Sequence, residues 1–234
     1  MSDDGSTPVL QFDDVWLPLP DHDQVGVAVD FALGAGDLVL VQPGDDQHER
    51  LLVDVACGLA LPARGTVRFL ARAWPDLPAD QANALRGRIG HVVRRGAWIS
   101  YLPLLDNILL SQLHHTRRPH AAIRAEAAWW ASWFALPGLP TGRPAEVAPA
   151  ILQRAACVRA FLGQPSLIII ETVAGGLGDG LLAALINAMR VVRDRDAAVL
   201  WFAQDGDLFR EPSLPATRRL RLLGDAIVPL EDVA

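Results

Sequence analysis

Residues 42–50, Gln42-Pro43-Gly44-Asp45-Asp46-Gln47-His48-Glu49-Arg50, place one imidazole, three carboxylates and a guanidinium between an apolar run, residues 37–41, and a segment with helical spacing, residues 51–59. A glycine-containing loop between a strand and a helix is a place where backbone N–H groups and a helix N-terminus can cradle a phosphate. Moving that phosphate would call for a lysine ammonium against the transferred charge and a hydroxyl for Mg²⁺. The chain has no lysine, because all 21 of its basic residues are arginine. Asp45, Asp46 and Glu49 also bring repulsion: like charges about 4 Å apart repel by roughly 1 kcal/mol in water and about 4 kcal/mol at an effective dielectric near 20. The loop is expected to reject a triphosphate.

A second candidate is Glu171, which ends the apolar run Leu167-Ile168-Ile169-Ile170 and is followed by Thr172. Glutamate is a competent Mg²⁺ ligand, but it would need a phosphate-holding loop beside it. Otherwise it reads as a carboxylate facing solvent or paired with an arginine. Gly175-Gly176-Leu177-Gly178 has no basic residue and reads as a turn. His114, His115 and His120 have no carboxylate or cysteine at ligand spacing, so they are expected to be loop residues and no metal site is expected. Cys57 and Cys157 lie in apolar, helix-like surroundings and read as buried free thiols.

The elements that would position these groups alternate strand and helix. Short strands are expected at residues 9–15 and 26–31, separated by a turn at residues 18–23, then at residues 37–41, 65–70 and 88–93. Residues 96–156 turn helical and are rich in alanine and tryptophan, after which strands return at residues 167–170 and 197–202 around a helix from about residue 181 to 194. Buried runs alternating with helices indicate an α/β fold with a mostly parallel sheet covered on both faces. The 234 residues, 51% hydrophobic, suffice for one globular body with a sizeable core, and no apolar run is long enough to span a membrane. The acidic start, Met1-Ser2-Asp3-Asp4-Gly5, lacks the order of a secretory signal, so a cytoplasmic location is expected. A net charge of -6 argues against a general nucleic-acid binder, and the patch Arg218-Arg219-Leu220-Arg221 is expected to be a solvated strand edge.

This order of elements resembles the nucleotide-binding subunit of an ATP-binding-cassette (ABC) transporter over residues 8 to 230. The most specific stretch runs from Arg86-Gly87-Arg88-Ile89-Gly90-His91-Val92-Val93-Arg94 through Trp98-Ile99-Ser100 to Asp106-Asn107-Ile108, and resembles the ATPase branch that serves Mla-type (MCE-associated) lipid transporters. A second anchor is Arg143-Pro144-Ala145-Glu146 followed by Gln153-Arg154-Ala155-Ala156 and Arg159-Ala160. The resemblance implies a P-loop (RecA-like) core with an N-terminal antiparallel β lobe over residues 8–95 and 157–234, and an inserted α-helical lobe over residues 96–156, all one domain.

By the same resemblance, every chemical position is substituted. His48 stands in the place of the lysine and Glu49 in that of the Mg²⁺ hydroxyl, within a degenerate nucleotide site of Gly44, Asp45, Asp46, Gln47, His48, Glu49 and Arg50. Arg94 replaces the γ-phosphate glutamine, Glu171 the metal-binding aspartate, Thr172 the catalytic glutamate and Gln204 the switch histidine. Gly178 takes the place of a later aspartate, and Leu19, with Trp16 nearby, that of the adenine-stacking aromatic. Ala148-Pro149-Ala150-Ile151 replaces the signature that caps the partner's nucleotide, and its proline removes a backbone donor.

The resemblance therefore implies a pseudo-ATPase without catalytic residues or cofactor. It would dock on the permease of a lipid transporter, at the inner face of a bacterial inner membrane, through a groove including Trp98, Tyr101, Leu102 and Leu105. Its partners would be that permease, an MCE-type protein, and a second copy or an intact ABC ATPase. Two other readings stay open: a divergent ATPase using ATP and Mg²⁺ through His48 and Glu171, and a free-standing regulator.

Overall fold

The computed structural model describes residues 7–19, 22–94, 97–172 and 180–230. Four short strands form one end of the sheet: β3 (Leu38–Gln42), β6 (Ile89–Val92), β7 (Leu167–Ile170) and β8 (Ala198–Phe202), with β6 at the edge. They pair in parallel in the order β3-β8-β7-β6. Their alternate side chains enter two separate cores. Leu38, Leu40, Ile168, Ile170, Val199 and Trp201 face one layer of helices, while Val39, Val41, Leu167, Ile169, Leu200 and Phe202 face the other. A strand covered on both faces needs no polar position, and β7 and β8 carry none, whereas β3 ends in Gln42 and β6 holds His91.

The first face is covered by α3 (Leu104–His115), α4 (His120–Trp133), α5 (Pro149–Phe161) and α6 (Leu181–Arg193). Trp130, Phe134 and Phe161 pack together there, with ring centroids 5.2 to 6.2 Å apart. The second face is covered by α1 (Asp46–Ala56) and α2 (Ala79–Arg86), and it holds Phe12, Phe69 and Trp74. β1 (Leu10–Leu19) pairs antiparallel with β2 (His22–Leu33) and with β4 (Arg64–Phe69), and β5 (Arg72–Ala73) adds an edge. After the short α7 (Gly206–Arg210), β9 (Arg218–Leu223) and β10 (Ala226–Pro229) form a hairpin. That hairpin joins the two halves, since β9 lies parallel to β3 and Ala226 of β10 pairs with Ala28 of β2. The result is one ten-stranded sheet, an α/β architecture with an antiparallel β lobe and a helical lobe.

Two expectations change. The Arg218 to Arg221 patch lies on an interior strand, not an edge, because β9 sits between β10 and β3. Its guanidiniums are used internally: Arg219 Nε donates to the Phe209 carbonyl at 2.9 Å and Arg221 Nε to Gln42 Oε1 at 2.9 Å, while Arg218 reaches the Ala32 carbonyl. His114 and His115 close α3 and His120 opens α4, so all three are helical. Pro149 occupies the first turn of α5, where its missing N–H would have had no helical partner, and so it costs the helix nothing. Cys57 and Cys157 are free and buried, and burial pushes both thiols up to about 12.

Gly90 on β6 is dictated by the approach of α5. A Cβ built there would lie 1.9 Å from the Ala160 carbonyl oxygen, which is backbone and has little room to yield. Gly90→Ala is expected to destabilise the fold by about 2 kcal/mol or more in urea unfolding, through overpacking. Gly138→Ala, at a position with open space around its Cβ, should be close to neutral, and equal losses in the two variants would contradict this packing.

Candidate functional site

The loop between β3 and α1 turns at Gly44, whose φ of +87° suits glycine. Asp45 then adopts an extended conformation and caps α1, with Oδ1 accepting from the N–H groups of Gln47 and His48 at 2.9 Å each. His48 folds back so that Nδ1 lies 2.7 Å from the same oxygen. Burial works against ionisation of Asp45, but the His48 N–H, the imidazole and the Gln47 N–H together hold its carboxyl below the usual range. Donors that a phosphate would need at a helix N-terminus are thus taken by the chain's own carboxylate.

One turn further, Glu49 points inward and is only 2% exposed. Its Oε1 accepts from the Thr172 N–H at 2.7 Å. Its Oε2 accepts from Arg94 Nη2 at 2.9 Å and Gln204 Nε2 at 3.1 Å. Arg94 also reaches Asp46 with Nη1, and Gln204 Nε2 donates to Asp46 Oδ1 at 2.7 Å. Burial alone would weaken the Arg94 charge, yet Asp46 and Glu49 raise its pKa above the ordinary value, so it stays a cation.

Glu171 contacts the same segment from below, accepting from the Arg94 backbone N–H at 2.8 Å. His91 Nε2 lies 2.8 Å from Glu171 Oε1, although that nitrogen finds no well-aligned hydrogen bond. Burial pushes the Glu171 carboxyl up, but His91 and Arg94 outweigh it and leave the group below 4.5. Thr172 Oγ1 donates to the Phe202 carbonyl at 3.2 Å and accepts from the Gln204 N–H at 3.3 Å, so its hydroxyl is occupied. The network ties together the ends of β6, β7 and β8 and the start of α1. It borders a cleft of about 500 Å³.

The fold implies a magnesium nucleotide here, and the residues present do not fit one. The helix N–H groups hold Asp45, a guanidinium occupies the space between Asp46 and Glu49, and Glu49 has both oxygens committed. What the arrangement does chemically is neutralise itself.

Of the residues singled out in the sequence, Asp46, Glu49, Arg94, Glu171, Thr172 and Gln204 meet in one network. His48 and Asp45 pair beside it, Gln47 supplies only its N–H, and Arg50 points outward, 3.8 Å from Asp54. Gly178 and its glycine-rich turn lie outside the described residues. His91 was missed by sequence reasoning; only the β6/β7 register, His91 opposite Ile169, brings it beside Glu171. Gln42 was missed too, and it links the network to β9 by donating to the Gln204 carbonyl at 3.4 Å while accepting from Arg221.

The docking residues are less gathered. Trp98 is covered by the Arg159 guanidinium, 4.3 Å from the ring centroid, whereas Leu105 is buried in the core. Asn107 holds Ile99, Leu102 and Pro103 through four hydrogen bonds, which turns Tyr101 outward to 73% exposure. The groove beside them, about 370 Å³, is lined by Ala97, Ile99, Leu110, Ser111, His114 and His115 among others, not by Tyr101, Leu102 or Leu105.

No protein-family model matches the chain. Among curated proteins it is similar to the sulfate/thiosulfate import ATP-binding protein CysA 2 of Rhizobium meliloti, 26% identical over 170 residues, covering 71% of this chain and 45% of that protein. The chain thus spans about half the length of that relative. It is also similar to the lipoprotein-releasing system ATP-binding protein LolD of Idiomarina loihiensis, 25% identical over 189 residues, covering 80% of this chain and 82% of LolD. Solved structures with the same fold include the dimeric ABC transporter cassette MJ0796, with a TM-score of 0.80 at 17% identity over 93% of this chain and 96% of that one. An ATP-binding subunit of an ABC transporter matches with a TM-score of 0.80 at 18% identity, covering 96% and 91%. The fold is that of an ABC ATPase cassette, and the curated relatives support the ABC nucleotide-binding family.

Two outcomes follow from the network. Arg94→Met leaves Glu49 buried without its cation and should cost about 3 kcal/mol in urea unfolding, much of it returned when Glu49→Met is added; strictly additive losses would contradict the pairing. Glu171, with its folded pKa below 4.5, contributes stability that is present above the unfolded pKa and lost as pH falls through the folded one. Glu171→Gln should therefore flatten the loss of unfolding free energy between about pH 5 and pH 3, and an unchanged acid limb would argue against that role.

Proposed function

We propose that this chain is a non-hydrolysing ABC-type subunit, in which an internal ion-pair network stands where a nucleotide and its metal would bind, and that it serves a transporter permease as a structural or regulatory partner. The observation that carries this reading is Arg94, whose guanidinium bridges Asp46 and Glu49. Further support comes from Asp45 on the α1 N–H groups and from the absence of lysine in the chain.

Permease docking is supported by the relatives, which are named as ATP-binding proteins of import, release and permease systems. The likeness of residues 86–108 to Mla-type ATPases supports a lipid transporter with an MCE-type protein. If cassettes of this fold pair head to tail, each composite site takes a phosphate loop from one chain and a signature from the other. With both segments substituted here, pairing with an intact ATPase would complete neither site. The subunit's contribution would then be its surface.

A second reading is favoured by the ATP-binding names of the relatives: a divergent ATPase acting through His48 and Glu171. Phosphate release from MgATP by the purified chain, alone and reconstituted with its permease, separates the two. The proposal expects release at the buffer rate in wild type and in Glu171→Gln alike. Turnover in wild type that Glu171→Gln abolishes would overturn it.

A further inference from the structure

Helix α4 is apolar on both of its sides. One side, with Ile123, Ala127, Trp130 and Ala131, is buried in the core. On the other, a surface helix ordinarily carries charged and polar side chains. Here that side is exposed and holds Ala121, Ala122, Ala125, Ala128, Trp129 and Ser132, which recur at three- and four-residue spacing and so share one face. Trp129 is 42% exposed, and its indole is held by its neighbours: the ring meets that of the buried Trp130 edge-on at 4.6 Å and that of Trp133 at 5.3 Å.

The face gives a protein partner little to recognise by direction. The Ser132 hydroxyl already donates to the Trp129 carbonyl at 2.6 Å, and alanine has no polar side-chain atom. Such a surface suits an occupant that needs no register.

Charge selects that occupant. Residues 116–133 carry three arginines and a single acid, Glu126, in a chain with 27 acidic residues against 21 arginines. Glu126 is committed, with Oε2 2.6 Å from Arg118 Nη2 and Oε1 accepting from the Gly163 N–H at 3.0 Å. Arg124 is exposed and lies beside Ala121 and Ala128, three and four positions away on the helix surface. Arg117 is exposed just before the helix begins, and neither arginine makes an ion pair among the described residues. An apolar helix face with an exposed tryptophan and unpaired arginines beside it matches helices that lie in the plane of an anionic bilayer, where the indole sits at headgroup level and each cation is attracted to the surface. No helix among the described residues is long and apolar enough to cross a membrane, so the contact would be with the surface.

We propose that the outer face of α4 rests directly on an anionic phospholipid surface, with Trp129 as its anchor and Arg117 and Arg124 supplying the attraction. The contact needs no permease, so it is tested apart from the subunit reading above. The test is flotation of the full chain with vesicles of phosphatidylcholine, alone or mixed equally with phosphatidylglycerol, in about 0.1 M salt, where charges more than about 10 Å away are largely screened. Binding to the mixed vesicles is expected to be at least about tenfold tighter than to the neutral ones, and about tenfold weaker in the double variant Arg117→Gln, Arg124→Gln. Ala125→Glu should weaken it by a similar factor, whereas Ala125→Lys should not weaken it. Ala125 is exposed in mid-helix and both replacements are strong helix formers, so these two variants should keep the wild-type circular dichroism and melting temperature. No flotation with the mixed vesicles, equal binding to both kinds of vesicle, or equal loss in Ala125→Glu and Ala125→Lys would each overturn the proposal. So would a dimer in light scattering that Ala125→Glu dissociates, since a second copy would then cover the face.

Discussion

A carboxylate buried on the first turn of a helix constrains everything around it. Glu49 is 2% exposed, and an ionised group removed from water must be met by a cation and by hydrogen-bond donors or it destabilises the fold by several kcal/mol. Those donors come from three distant segments: Arg94 after β6, the Thr172 N–H after β7 and Gln204 after β8. Meeting Glu49 therefore fixes where three strand ends sit relative to α1. Glu171 then holds the Arg94 backbone, so the cation that neutralises Glu49 is positioned from its main chain as well as its side chain.

The same constraint bears on function. A phosphate cradle works because helix N–H groups and a cation are left waiting for an anion from outside. Here Asp45 takes two of those N–H groups and Arg94 finds its anions within the chain. Every charge in the site has an internal partner, which favours a fixed architecture over a site that opens and closes around a ligand.

Much of the fold was legible because its signals are local. Residues 167–170 and 198–202 are uninterrupted apolar runs, and a strand buried on both faces has no other composition. The Arg218 to Arg221 patch misled, because its charges look solvated in sequence while the sheet order makes β9 interior and supplies carbonyl partners from residues 32 and 209. In the site, the substituted positions could be named one by one, but their meeting could not. The partners of Arg94 lie 45 and 77 residues away, and repulsion among Asp45, Asp46 and Glu49 read as hostile until Arg94 was seen between two of them. His91 carries no signal of its own, as its nearness to Glu171 exists only through the β6/β7 register.

The most direct test is amide hydrogen exchange at His48 and Thr172, with and without millimolar MgATP. Their N–H groups bond to Asp45 and Glu49, so the account predicts slow exchange in the absence of nucleotide and no change when MgATP is added. Fast exchange that slows on adding MgATP would show that these donors wait for a phosphate, and would contradict it.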